Sequence, residues 1–403
     1  MLNIGLPAME IIERIKLLAA SRRESCVGWR RHLHANPELS YCEFKTASFI
    51  HELLQSLGFQ NVSLVGGTGV LTIIEGRSPG KTIMLRADID ALAIKEDTSL
   101  EFASSVPGVM HACGHDAHTA MLLAAADILL TLRNEWTGTI KILFQPAEEI
   151  SPGGALKMIA AGVLESPKVQ EAIGQHVMPR LPAGKVGIRG GRFMASADDF
   201  TITIHGRGGH AAMPDLTIDP VLIAGHLIVA LQQVISRNVD PKIPAVLSIG
   251  RIVADGTYNV IPDQVILQGT FRTLDNDWRE RGLVKIKKLA MELSSSMGAD
   301  CTVEIRRGYP FLQNNVMLAN ELKASLITYL GPENVMDEDV WMAAEDFAHY
   351  SHTVPAVFYL LGVRNEAKGI TSGLHTPTFT VDEDALPLGA GIMAWLAYQR
   401  MQP

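Results

Sequence analysis

Apolar and polar positions in the first half of the chain follow two periods, one helical and one typical of strands. Apolar residues recur at helical spacing in four segments, residues 9–34, 44–57, 117–132 and 155–161. Short, nearly continuous apolar runs cover residues 70–75, 82–86, 139–144 and 172–177. Because these runs alternate with the helices, the pattern predicts an α/β domain whose parallel or mixed sheet is covered on both faces.

The pattern changes near Ala195. A strand, a helix, two strands, a helix and a strand are predicted over residues 200–205, 219–237, 245–252, 264–272, 278–297 and 301–306. This βαββαβ order is that of ferredoxin-like domains. The first pattern then resumes over residues 316–330, 356–361 and 383–398. We therefore expect a larger domain of residues 1–194 and 312–403, interrupted by an inserted domain of residues 195–311.

Composition indicates a globular protein and narrows its partners. The 403 residues are 47% hydrophobic, and the net charge of −8 argues against nucleic acid or an anionic membrane as a partner. No apolar run reaches transmembrane length, and nothing near the N-terminus resembles a signal peptide. The four cysteines are scattered and suggest no disulfide framework, so we expect a cytoplasmic location.

Potential metal ligands concentrate in residues 111–118, which hold three of the 13 histidines, one of the four cysteines and an aspartate. Thiolate sulfur and imidazole nitrogen hold zinc-like divalent metals. Gly114 lets the backbone bend so that Cys113 and His115 can converge on one ion. Asp116 is the expected N-cap of the helix over residues 117–132. The alternative is a buried cysteine beside surface histidines.

Further polar residues follow the predicted strands, where α/β proteins build their sites. Asp88 and Asp90 end one strand, and Glu148-Glu149 follows another. Neighbouring side chains in extended chain point in opposite directions, so one glutamate can face a metal and the other a substrate; a solvated loop end is the alternative. His176 ends the next strand, and His375 lies in a loop near the C-terminus. Taken alone, either histidine could equally have a structural role.

Five of these residues form a candidate ligand set: Cys113, His115, Glu149, His176 and His375. A single tetrahedral zinc ion needs four ligands at most, so two ions that share one ligand are expected. A bridging thiolate from Cys113 would provide the shared ligand.

Three polar residues of the inserted domain are candidates for substrate contacts. His210 lies in a glycine-rich turn, and Asn259 lies in a loop between two strands. Arg272 ends a strand, and its planar guanidinium suits a carboxylate. Two of them also have a simpler interpretation: the His210 turn as a plain connection between a strand and a helix, and Arg272 as a partner in a surface salt bridge.

The chain resembles the M20 metallopeptidases, and within them the amidohydrolase branch of hippurate hydrolases, N-acyl-amino-acid amidohydrolases and auxin-conjugate hydrolases. The matching motifs, in chain order, are Arg31-His32-Leu33-His34, Pro37-Glu38-Leu39-Ser40, Arg86-Ala87-Asp88-Ile89-Asp90-Ala91-Leu92, His111-Ala112-Cys113-Gly114-His115-Asp116, Phe144-Gln145-Pro146-Ala147-Glu148-Glu149, Gly209-His210-Ala211-Ala212-Met213-Pro214, Asn259-Val260-Ile261-Pro262, Gly269-Thr270-Phe271-Arg272, Glu345-Asp346-Phe347 and Leu374-His375-Thr376-Pro377. One such motif is weak, but this many in order along nearly the whole chain is highly specific.

The resemblance implies a fold and a division of roles. The fold would be α/β with two domains: a mixed-sheet, di-metal catalytic domain and an inserted ferredoxin-like lid and dimerisation domain. Cys113 would bridge two divalent ions, with His115, Glu149, His176 and His375 as further ligands. Glu148 would be the general base, and His210 a lid residue that acts across a homodimer or higher homo-oligomer. Asp88 matches an acid that orients the site.

Three positions depart from the family pattern. Ala93 replaces the usual proline after Asp-Ala-Leu, Asp215 stands where a histidine is common, and Ser151 stands where glycine is usual. The candidate ligands are unaffected. The change at Asp215 bears on the lid, and therefore on acyl-group preference and dimer contacts.

The sequence therefore predicts a metal-dependent amidohydrolase that cleaves N-acyl or N-aroyl amino acids, such as hippurate, with two ions of Mn, Zn, Ni or Co. Asn259 and Arg272 would hold the substrate carboxylate. Two alternatives remain: a metallocarboxypeptidase or dipeptidase on the same scaffold, and a non-catalytic metal-binding or regulatory protein. The presence of Glu148 beside Glu149 argues against the second alternative, because a protein that only holds metal needs no adjacent base.

Overall fold

The computed structural model describes residues 6–402, with side chains from residue 9 onward. The α-helices are α1 (Leu6–Ser21), α2 (Arg23–Ala35), α3 (Phe44–Ser56), α4 (His115–Thr131), α5 (Gly154–Ala160), α6 (Pro220–Ser236), α7 (Asn276–Ser296), α8 (Val316–Leu330), α9 (Ala348–Ser351) and α10 (Ala385–Arg400). Short 3₁₀ turns cover Arg133–Glu135, Pro214–Leu216, Pro332–Asn334 and Glu366–Lys368. Within this range no helix is both long enough and apolar enough to span a membrane.

The strands are β1 (Val62–Val65), β2 (Gly69–Glu75), β3 (Thr82–Asp88), β4 (Thr139–Gln145), β5 (Glu171–Pro182), β6 (Val186–Ile188), β7 (Gly191–Met194), β8 (Asp198–His205), β9 (Gly209–His210), β10 (Ala245–Val253), β11 (Val260–Ile261), β12 (Gln264–Thr273), β13 (Asp300–Arg307), β14 (Leu312–Asn314), β15 (Val335–Asp337) and β16 (Ala356–Arg364). Most long elements match the predicted ones. Several two- to four-residue strands, such as β1 and β9, were not predicted because they are too short to show a period.

The chain forms two compact units. The first unit comprises residues 6–191, Gln313–Asp339 and 349–402, and the second comprises Arg192–Leu312 and Val340–Ala348. The sequence did not predict that the segment Val340–Ala348 belongs to the second unit. It is held by backbone hydrogen bonds, because the Trp341 amide donates to the Phe193 carbonyl (2.8 Å) and the Ala195 amide donates to the Trp341 carbonyl (3.1 Å).

The first unit contains an eight-stranded sheet in the order β1-β2-β4-β3-β5-β16-β6-β15. Strands β4, β3, β5 and β16 run parallel to their neighbours in that group, whereas β1, β2 and β6 form antiparallel pairs. The predicted mixed sheet is therefore confirmed. All seven residues of β3 are buried, as expected for a central parallel strand. The carboxyl ends of β3, β4 and β5 lie at one edge of the sheet, which is where a site is expected.

Two helix predictions need correction. The helix expected over residues 9–34 is two helices, α1 and α2, that meet at Arg22. The expected N-cap Asp116 lies inside the first turn of α4, and Gly114 occupies the N-cap position with φ = 90°. Asp116 is instead bound by two side chains of α2, with Arg30 Nε at 2.9 Å and His34 Nδ1 at 2.8 Å. A buried carboxylate gains more from these charged partners than from a backbone amide.

The second unit follows the order β8-α6-β10-β12-α7-β13, and its four strands form an antiparallel sheet in the order β10-β12-β8-β13. Phe200, Ile202 and Ile204 alternate along β8 and are buried in the core of this unit. Helix α6 begins as predicted at Asp219-Pro220, because Asp219 Oδ1 accepts the amides of Val221 and Leu222.

Candidate metal centre and active site

The five predicted ligands come together in the first unit. Potential ligand atoms of Cys113, His115 and His176 lie within 4.8 Å of one another, and so do those of Cys113, Glu149 and His375. The Cys113 Sγ atom lies 3.5 Å from His176 Nε2, and Glu149 Oε1 lies 3.3 Å from His375 Nε2. The two groups share Cys113, which is the arrangement expected for a bridging thiolate.

The adjacent glutamates lie beside these groups. Potential ligand atoms of His115, Glu148 and Glu149 lie within 4.8 Å of one another, and the Glu148 side chain is buried. Glu149 Oε1 lies 3.8 Å from His115 Nε2 and therefore faces the ligand groups. Glu148 is therefore a carboxylate of the site in addition to the five candidate ligands.

The donor atoms fit a cation. His115 Nε2 and Glu149 Oε1 are buried, and neither has a hydrogen-bond partner among the residues that the structure describes. Buried polar atoms are rarely left unpaired, and a metal ion would satisfy both. Burial, with the charges of Glu149, Glu148 and Asp88, raises the pKa of Cys113 well above its ordinary value. The thiolate is therefore favoured only when positive charge enters the site.

Asp90 orients the first histidine. His115 Nδ1 lies 3.1 Å from Asp90 Oδ1, which leaves Nε2 directed at the ligand groups. Burial alone would lower the pKa of His115, but the carboxylates of Asp88 and Asp90 raise it to about 10. Carboxylates that bind the outer nitrogen of a metal-ligating histidine fix its tautomer and orientation. The prediction gave this kind of role to Asp88 alone, although Asp90 stands in the same motif.

Asp88 makes other bonds. Its Oδ1 lies 2.6 Å from His118 Nδ1, and its Oδ2 accepts from Arg86 Nη1 at 2.6 Å and lies 3.8 Å from His115 Nε2. Burial opposes ionisation, but His115, His118 and Arg86 hold the pKa of Asp88 well below its ordinary value.

His118 has no predicted role, yet it makes two hydrogen bonds beside the site. Its Nε2 accepts the backbone amide of Val177 at 2.8 Å, so both ring nitrogens are used and His118 links β3 to β5. Its spacing from His115 was the available signal, because residues i and i+3 share one face of a helix.

The two remaining histidines are held by backbone groups. His176 Nδ1 donates to the Val177 carbonyl at 2.7 Å, which leaves Nε2 toward Cys113. Burial and the neighbouring His118 lower the pKa of His176 well below its ordinary value, so the ring is neutral and able to bind metal. His375 has φ = 58°, and its amide donates to the Ala112 carbonyl at 2.8 Å. This bond ties the C-terminal loop to the Cys113 segment.

The residues predicted to contact substrate lie in the second unit. His210 is exposed on β9, which pairs with β11, and its Nδ1 accepts the Ala212 amide at 3.0 Å. The neutral His210 ring therefore carries its proton on Nε2. Asn259 lies close to His210 in this unit, because the backbone carbonyl of Asn259 accepts the Ala211 amide at 3.0 Å. Arg272 lies on β12, where its Nε donates to the Thr270 hydroxyl at 3.1 Å.

Comparison with known proteins assigns the chain to a family. Residues 84–399 match the family described as Peptidase family M20/M25/M40. The N-acyl-L-amino acid amidohydrolase of Geobacillus stearothermophilus is 45% identical over 297 residues, 74% of this chain and 80% of the relative. Thermostable carboxypeptidase 2 of Saccharolobus solfataricus is 38% identical over 392 residues, 96% of this chain and 98% of the relative.

A solved structure agrees with these matches. The crystal structure of a dinuclear metal binding peptidase from the M20 family of Bacillus subtilis superposes with a TM-score of 0.81 at 36% identity, and covers 95% of this chain and 99% of that one. The resemblance inferred from the motifs is thereby confirmed at the level of the family. The chain belongs to Peptidase family M20/M25/M40.

Proposed function

We propose that the protein is a metal-dependent amidohydrolase that cleaves N-acyl or N-aroyl amino acids, such as hippurate, to a carboxylic acid and a free amino acid. One observation carries this proposal: two ligand groups share Cys113, and Glu148 lies beside them as an additional buried carboxylate. The relative named N-acyl-L-amino acid amidohydrolase supports the substrate class.

Cys113, His115, Glu149, His176 and His375 would hold two divalent ions of Mn, Zn, Ni or Co, with Cys113 shared. Such ions, when bound, polarise an amide carbonyl and lower the pKa of water. The bonds from Asp90 to His115 and from the Val177 carbonyl to His176 support this assignment, since they leave the second nitrogen of each ring available.

Side chains of the protein would transfer the proton, stabilise the developing charge and bind the substrate. Glu148 takes the proton of the attacking water and passes it to the leaving amine nitrogen. His210 donates a hydrogen bond from its Nε2–H group to the oxygen on which charge develops, and keeps its proton. Arg272 and Asn259 hold the carboxylate of the substrate. Asp88 acts as a positioning residue through the histidines of α4.

Residues 195–311 would form the ferredoxin-like lid and dimerisation domain of a cytoplasmic homodimer or higher homo-oligomer. The βαββαβ order of the second unit and its open sheet edges, β10 and β13, support this part of the proposal. The net charge of −8 agrees with a small-molecule substrate rather than nucleic acid or a membrane surface as the partner.

A second candidate is a metallocarboxypeptidase or dipeptidase, which would accept a peptide as the acyl part. The 38% identity to thermostable carboxypeptidase 2 over nearly the full length favours keeping this candidate. The same ligands and the same base would serve both reactions, so the two functions differ in substrate and not in chemistry.

A hydrolysis panel tests the proposal. The purified protein is stripped of metal, reloaded with Mn²⁺, Co²⁺, Ni²⁺ or Zn²⁺, and assayed on N-acetyl and N-benzoyl amino acids and on dipeptides. We expect activity on the N-acyl amino acids only after reloading, and turnover about 10²–10⁴-fold lower in the Glu148→Gln control. Full activity in protein shown to be metal-free would refute the metal-dependent mechanism. Cleavage of dipeptides alone would favour the second candidate.

A further inference from the structure

A buried glutamate outside the predicted site, Glu43, binds the turn that leads into Glu148. Its side chain is 0% exposed. The Oε1 atom accepts the backbone amides of Ala147 (2.8 Å) and Tyr41 (2.9 Å), and Oε2 accepts the Thr68 hydroxyl at 2.7 Å. Burial and the nearby charge of Asp90 raise the pKa of Glu43, while hydrogen bonds from the Thr68 hydroxyl and the Ala147 amide oppose that rise. Three separate parts of the chain, around residues 41–43, 68 and 147, therefore meet at one carboxylate.

Ala147 has an unusual backbone conformation. Its φ is 55°, in the left-handed region that a residue with a Cβ atom adopts only when its surroundings enforce it. Both of its backbone polar groups are bonded, the amide to Glu43 and the carbonyl to the Gly154 amide at 2.9 Å. The first of these bonds is made by a side chain 104 residues away, so local sequence does not account for the conformation.

The amide on the other side of Glu148 is also held by a carboxylate. The Glu149 amide donates to Asp90 Oδ2 at 2.9 Å, and the same oxygen accepts the Ser40 hydroxyl at 2.6 Å. Ser40 and Glu43 belong to one short segment before α3. Residues 40–43 therefore support the turn from both sides of Glu148.

We propose that Glu43 is a positioning residue for Glu148, and that it acts by holding Ala147 in the left-handed conformation. This inference rests on the proposed role of Glu148 as the base. Glu43 supplies an acceptor oxygen within hydrogen-bond distance of the Ala147 amide. The length of its side chain therefore matters more than its charge. Losing the bond lets Ala147 relax toward an ordinary conformation and moves the Glu148 carboxylate, and a misplacement of about 1 Å lowers turnover by about 100-fold.

Substitutions at Glu43 distinguish the effect of side-chain length from the effect of charge. In Glu43→Gln the amide oxygen can still accept from Ala147 and Tyr41, while the amide nitrogen can donate to the Thr68 hydroxyl; we expect kcat close to that of the unmodified protein. Glu43→Asp keeps the charge but is one methylene shorter, and Glu43→Ala removes the acceptor. We expect kcat to fall by about 100-fold in both, with KM and metal stoichiometry unchanged.

A matched control comes from the same segment. Glu38 Oε2 accepts the Thr46 amide (2.8 Å) and hydroxyl (3.0 Å), so Glu38→Ala removes a carboxylate that supports α3. It should lower stability without the large loss of kcat. Should Glu43→Ala fail to fold, the comparison of Glu43→Gln with Glu43→Asp decides the question. Equal kcat in those two variants, or equal losses in Glu43→Ala and Glu38→Ala, would overturn the proposal.

Two further measurements separate positioning from general damage. Amide hydrogen exchange followed by mass spectrometry should show faster exchange in residues 145–149 of Glu43→Asp than in Glu43→Gln. The double variant Glu43→Asp with Ala147→Gly should regain part of the lost kcat, because glycine takes a positive φ readily. Unchanged exchange, or no recovery, contradicts the proposal. Unmodified protein without amidohydrolase activity would refute the proposed function, yet the exchange measurement would still test the link between Glu43 and the turn.

Discussion

Glu148 and Glu149 are adjacent in the chain, yet Glu149 Oε1 faces His115 and His375 whereas Glu148 is the additional carboxylate. We predict that Glu148→Gln keeps its metal and loses turnover by about 10²–10⁴-fold, as for a lost general base. Glu149→Gln should lower metal occupancy, because a ligand is lost. Metal stoichiometry and kcat are measured on both variants. Loss of metal in Glu148→Gln with retention in Glu149→Gln would show that the two roles are reversed.

The five candidate ligands could be proposed from the sequence because their residue types are those that bind metals, and the structure brings them together. Cys113, His115 and Glu149 carry thiolate, imidazole and carboxylate groups, which are the side-chain groups that bind divalent metals. The supporting residues could not be found this way. Asp90 and Glu43 are ordinary acidic residues in the sequence, and only tertiary contacts across 25 and 104 residues show what each one holds.

Elements were predictable where local signals decide them. Asp219-Pro220 starts α6 as expected, because the cap and the proline act within one turn. The same logic failed at Asp116, where Arg30 and His34 approach from 86 and 82 residues away and bind the carboxylate. Local preference sets an element boundary only when no stronger partner is brought in by the fold.

One buried ion pair joins two elements of the second unit. Arg279 of α7 donates through Nε and Nη2 to both oxygens of Asp198 on β8, each at 2.7 Å. We predict that Asp198→Asn lowers the free energy of unfolding of this unit by about 3–5 kcal/mol, because Arg279 keeps a buried charge without its partner. Denaturant unfolding measures the loss.

The control for this prediction is an exposed ion pair between the next residue of α7, Glu280, and Arg307 of β13. Glu280 binds Arg307 through two contacts of 2.5 Å, and both side chains are more than half exposed. Glu280→Gln should change stability by less than about 1 kcal/mol. Equal losses in the two variants would mean that burial of the Asp198–Arg279 pair does not matter.

Glu96, in the loop after β3, binds His34 of α2. This contact predicts that the stability of the protein depends on pH. Burial opposes ionisation, but hydrogen bonds from His34, Thr98 and the Ser104 amide lower the pKa of Glu96 from 4.5 to about 2. A carboxyl whose pKa is lower when folded stabilises the protein above its unfolded pKa, so this contribution is lost as pH falls from about 4.5 toward 2. Unfolding measured across that interval should show a shallower decline in Glu96→Gln. An identical decline would contradict this role.

At the scale of the whole molecule, length and the change of pattern near Ala195 predicted two domains; the chain forms two compact units whose bounds differ from the predicted ones. The segment Val340–Ala348 escaped prediction because its place depends on backbone bonds to residues 193–195, which leave no trace in hydrophobic periodicity. Subunit contacts are equally invisible to periodicity. His210 is an exposed residue of the second unit, whereas the proposed ligands and the proposed base belong to the first unit.

We predict that His210 acts in trans, from the lid of a partner subunit. The outer strands β10 and β13 leave open sheet edges, and pairing of such edges between two copies would cover them. His210 carries its free N–H on Nε2, because Nδ1 accepts the Ala212 amide. His210→Ala should therefore fold, dimerise and bind metal normally, yet turn over slowly, as when an oxyanion donor is lost.

Complementation measures this directly. The two slow variants, His210→Ala and Glu148→Gln, are mixed under conditions in which subunits exchange, and exchange is verified by mass spectrometry of differently tagged chains. A mixed dimer contains one site in which Glu148 of one chain meets His210 of the other, so activity should reappear and rise to the level set by the fraction of mixed dimers. Each variant incubated alone is the control. Background activity despite verified exchange would mean that His210 acts within its own chain or takes no part in the reaction.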